Sequence, residues 1–80
     1  MDIFLLEMKG EDDRYDVMRS CVVVAHTWVE ARKIAATAAG DEGAEVWLLA
    51  TTSSCRTIGE ALPGYVRRKP HVICRDFRAG

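Results

Sequence analysis

Eighty residues, 49% of them hydrophobic and 29% charged, fit one domain near the lower size limit at which a single core suffices. The formal net charge of −1 argues against a chain that coats nucleic acid by bulk charge, and apolar residues running nearly from end to end argue against a disordered tail. The opening MDIFLLEMKG is too short to span a bilayer and lacks the basic start and small-residue cleavage pattern of a leader, so a cytoplasmic protein without a membrane partner is expected.

The first predicted element is a strand at the amino terminus. Phe4, Leu6 and Met8 alternate onto one face, and Ile3 and Leu5 onto the other. KGEDDRYD follows as a turn, and Val17 to Ala25, with CVVVA at its middle, reads as the second strand. In HTWVEARKIAATAAGDEG, Thr27 and Glu30 have the spacing of a capping box, which starts a helix at Trp28. Trp28, Ala31, Ile34, Ala35 and Ala38 form its apolar stripe, with Trp28 and Ile34 as the large anchors, and Gly40 is the expected stop. EVWLLA, residues 45 to 50, reads as the third strand, and Trp47 as sheet packing. Thr57 to Leu62 repeats the capping-box spacing and reads as one helical turn ended by Pro63-Gly64; HVICRDF, residues 71 to 77, is the fourth strand.

These elements define an α+β domain spanning residues 1 to 80 in the order ββαββ. If the first two strands form a hairpin, a right-handed crossover through the helix places the third beside the first. With the fourth added beside the third, the expected sheet is mostly antiparallel, of order 2-1-3-4, with one main helix on one face. One helix covers one side only. Ile3, Leu5, Trp47, Leu49, Ile73 and Phe77 then fall on the other, exceeding the apolar patch of roughly 300–600 Å² that a monomer usually leaves in water. A homodimer packed through this open face, or a flap formed by residues 51 to 66, is the expected cover.

Charge is segregated along the chain. Residues 1 to 16 carry six acids and two bases, net −4; residues 67 to 80 carry five bases and one acid, net +4. The topology gathers Glu11, Asp12, Asp13, Asp16, Asp41, Glu42 and Glu45 at one end. Solubility and turn chemistry account for some of these. Asp41 and Glu42, however, follow a helix C-terminus, where the macrodipole disfavours acids by about 0.3–1 kcal/mol, so partner binding is the sharper use of this end, against a basic surface. The acidic loops lack the order of a calcium loop, and no metal or other cofactor is expected. Arg67, Arg68, Lys69, Arg75 and Arg78 form the alternative, a nucleic-acid-binding surface. The net acidity and lack of a basic helix make direct nucleic-acid contact the weaker reading.

Catalytic signals are thin. Cys55 paired with His26 or His71 would make a nucleophile and base, but the spacing matches no nucleophile motif. Cys21, Cys55 and Cys74 are odd in number and without CxxC spacing, which favours reduced thiols over a disulfide framework or zinc site. No catalytic residue is assigned and an enzyme is not expected; a small enzyme or redox protein stands third.

GDEGAEVWL, SSCRTIGEAL and the ending VICRDFRAG, with the EAR segment of the helix, resemble segments of small accessory proteins carried by bacteriophages and prophages. The size, the ββα core and the segregated charge are similar to those of anti-CRISPR proteins, many of which bind a host effector complex without chemistry. The resemblance implies a phage-type inhibitor in the host bacterial cytoplasm, whose partner is a host protein or nucleoprotein complex. It assigns no residues; those above rest on topology and charge.

Overall fold

The computed structural model describes residues 1–10, 14–62 and 69–77. Its elements are β1 (Asp2–Met8), β2 (Met18–Ala25), α1 (Trp28–Thr37), α2 (Glu45–Leu48), β3 (Ser53–Glu60) and β4 (His71–Phe77). The α+β class and the four-stranded sheet are as expected, and every pairing is antiparallel, but the order is β3-β1-β2-β4 and there are two described helices.

The strands with the most apolar sequence take the centre. Phe4, Leu6, Cys21, Val23 and Ala25 face the helices and form the core with Met18, Ala31, Ala35 and Trp47. β3 pairs with β1, as expected of the third strand, but it is built from SSCRTIGE instead of EVWLLA. Ser53, Cys55 and Thr57 lie on the core side, opposite Met8, Leu6 and Phe4, and a bulge at Ile3/Phe4 absorbs one residue. The expected helical turn at Thr57 to Leu62 is therefore replaced by strand. β4 joins the outer edge of β2 instead of β3. β2, with its run of three valines, thus gains a partner on both sides, which is what a strand apolar on both faces requires. Glu60 and His71 lie at the same end of the sheet.

EVWL, residues 45 to 48, forms a single helical turn in place of the expected strand over 45 to 50, and Leu49 after it is extended. Trp47 is fully buried from α2, and the long-range hydrogen bonds described below hold that turn. The helix α1 begins where the capping box placed it: Thr27 Oγ1 accepts from the Glu30 amide at 3.1 Å, and Glu30 accepts from the His26 amide at 2.7 Å. The His26 amide foremost, with the His26 side chain, lowers the Glu30 carboxyl below its ordinary value against the opposing effect of burial. The buried stripe is Ala31, Arg32 and Ala35, while Trp28 is 59% exposed. Trp28 was expected as an anchor, but the small alanines bring the helix close to the sheet and leave the first-turn indole outside.

Both helices pack on the core side. The flap expected over the other side is not formed by residues 53–60, which are β3; residues 63–66 lie outside the described residues. Trp47 and Phe77 join the core side, so the helix-free face is less apolar than expected. Ile3, Leu5 and Val22 are half-buried on it and Val24 is fully buried.

Candidate interaction site

The loop before β2 and the turn after α1 meet at one end of the sheet. The Asp41 amide donates to the Asp16 carbonyl at 2.9 Å. Asp16 has φ 59°, a left-handed conformation that a short polar residue tolerates. Gly40 is packed beneath it: a Cβ there would sit 2.0 Å from the Asp16 carbonyl oxygen and 2.7 Å from Phe77 Cε1. Only a residue without a side chain allows this approach.

Glu42 turns inward and is 9% exposed. Its Oε1 accepts from the amides of Met18 at 2.8 Å and Gly40 at 2.9 Å, and its Oε2 accepts from Trp47 Nε1 at 2.6 Å. One carboxylate thus ties together β2, the turn after α1 and α2. Glu42 was expected among the exposed, partner-binding acids. The structure corrects this: its carboxylate is taken by three internal donors, and the stability argument against an acid after a helix fails for this residue.

Arg32 holds the other side of α2. Its Nη1 donates to the carbonyls of Trp47 (3.0 Å) and Leu49 (3.2 Å) and to Ser53 Oγ (2.8 Å), and its Nη2 donates to the Ser53 carbonyl (3.0 Å). The guanidinium therefore satisfies the closing carbonyls of a one-turn helix. Among the described residues no buried side-chain polar atom lacks a partner. The sequence reading missed both clamps. For Arg32 a signal existed, since it stands beside Ala31 and three positions before Ala35, on the stripe where an apolar residue is expected.

Of the remaining predicted acids, Asp16, Asp41 and Glu45 are exposed at this end, together with the apolar side chains of Tyr15, Leu48 and Leu49. Glu11, Asp12 and Asp13 lie outside the described residues. Lys9, Arg14 and Arg19 are also exposed here, so the described part of the end is mixed in charge.

The alternative basic set is not brought together among its described members. Lys69 precedes β4 at the opposite end of the sheet, and Arg75 lies toward the acidic end, its guanidinium 5.1 Å from the centroid of the Phe77 ring. Six chain steps separate them, about 20 Å when extended. Arg67, Arg68 and Arg78 lie outside the described residues.

The cysteines and histidines are dispersed. Cys55 on β3 and His71 on β4 occupy opposite edges, three strand spacings or about 14 Å apart. His26 lies beyond the end of β2, its Nδ1 3.1 Å from Glu30 Oε1. Burial raises the Cys55 thiol above its ordinary value, against the smaller opposing effect of Arg32, and burial above all pushes the Cys21 thiol up to about 12. Neither is a ready thiolate. Among the described residues no group of three or more His, Cys, Asp or Glu is placed to hold a metal ion, and no helix is long and apolar enough to cross a membrane.

No protein-family model, curated protein or solved structure matches this chain.

Proposed function

We propose that the chain is a small non-enzymatic protein that binds and inhibits a bacterial immune effector complex of the CRISPR-Cas kind, offering carboxylates and apolar side chains to a surface that otherwise holds nucleic acid. The observation that supports this most is the frame under the acidic end. Asp16 and Asp41 belong to different loops, yet one backbone hydrogen bond joins them over Gly40, and the adjacent Glu42 is anchored inside. Carboxylates held on such a frame lose less freedom on binding than those on free loops, and they attract a basic surface over a distance. Tyr15, Leu48 and Leu49 add apolar area at the same end. The resemblance to phage accessory and anti-CRISPR proteins directs the choice of partner.

A competition measurement tests the reading. Purified effector complex, with and without its target nucleic acid, is titrated with the chain. Binding to the empty complex that is displaced by the target supports the proposal. Binding that ignores the target, or a shift of bare DNA or RNA by the chain alone, overturns it.

A further inference from the structure

We draw no further inference here: the strongest candidate, the surface patch of exposed Leu48 and Leu49 at the end of the clamped turn α2, belongs to the site already described, and nothing in the structure shows what covers it.

Discussion

Replacing Glu42 by alanine removes the acceptor of three N–H groups at once. Two of the bonds, from the Met18 amide and the Trp47 indole, are buried, and the third, from Gly40, is partly buried. Each buried donor left unpaired costs about 1–3 kcal/mol, so Glu42→Ala should lose about 3–6 kcal/mol. The stability of an 80-residue domain is roughly 4–12 kcal/mol in total, which puts the variant close to unfolding. Glu42→Gln keeps one acceptor oxygen but turns an NH2 group toward a donor, and should lose about 2 kcal/mol. Asp41→Ala next door is an exposed change and should stay within about 0.5 kcal/mol. Urea unfolding followed by tryptophan fluorescence measures all three. A Trp28→Phe background isolates Trp47, since Trp28 is exposed and Trp47 is fully buried. A Glu42→Ala cost no larger than that of Asp41→Ala would falsify the account of the clamp.

Gly40→Ala should destabilise by about 3 kcal/mol or more, because the added methyl meets a backbone carbonyl. Gly10→Ala, with φ +78° and nothing within 4 Å, should cost only about 1–2 kcal/mol of backbone strain; equal melting shifts for the two would contradict the packing argument. Arg32→Met leaves the Trp47 and Leu49 carbonyls without their donor, and should speed amide exchange in residues 45–53 more than in β1; uniform exchange would show that Arg32 does not hold α2. The Cys21 thiol is raised in the folded state from an ordinary 9.0 to about 12. Its stabilising contribution is thus whole below about pH 9 and is lost as pH rises toward 12. Cys21→Ala should lack that part of the alkaline slope, and a slope unchanged in the variant would assign it elsewhere.

What was legible in the sequence was local. The capping box Thr27–Glu30 located the start of α1, the alternation of Phe4, Leu6 and Met8 gave the core face of β1, and HVICRDF gave β4 with its observed bounds. The misread stretches are those whose structure is decided by distant partners. EVWLLA has the residue types of a strand, but Trp47 bonds to Glu42 and its carbonyl to Arg32, and neither bond leaves a periodic trace. SSCRTIGE alternates serine, cysteine and threonine inward, too polar to read as a strand, because an edge position beneath short helices needs little apolar volume. The same blindness affected the site. Asp41 and Glu42 are neighbours of one chemical type, and only the convergence of Met18, Gly40 and Trp47 donors separates an exposed acid from an internal clamp. Gly40, read as a helix stop, lies beyond the observed C-cap Ala38 and serves instead the close approach to Asp16.

The salt dependence of binding to a purified immune effector complex tests the central claim most directly. The wild type is compared with a triple variant, Asp16→Ser, Asp41→Ser and Glu45→Ser, in which the Glu42 clamp is kept. The wild type should bind less tightly as salt rises, and the variant should bind at least about tenfold more weakly at low salt, with a flatter dependence. Equal affinities and equal salt slopes for the two proteins would contradict the claim that the acidic end is the binding surface.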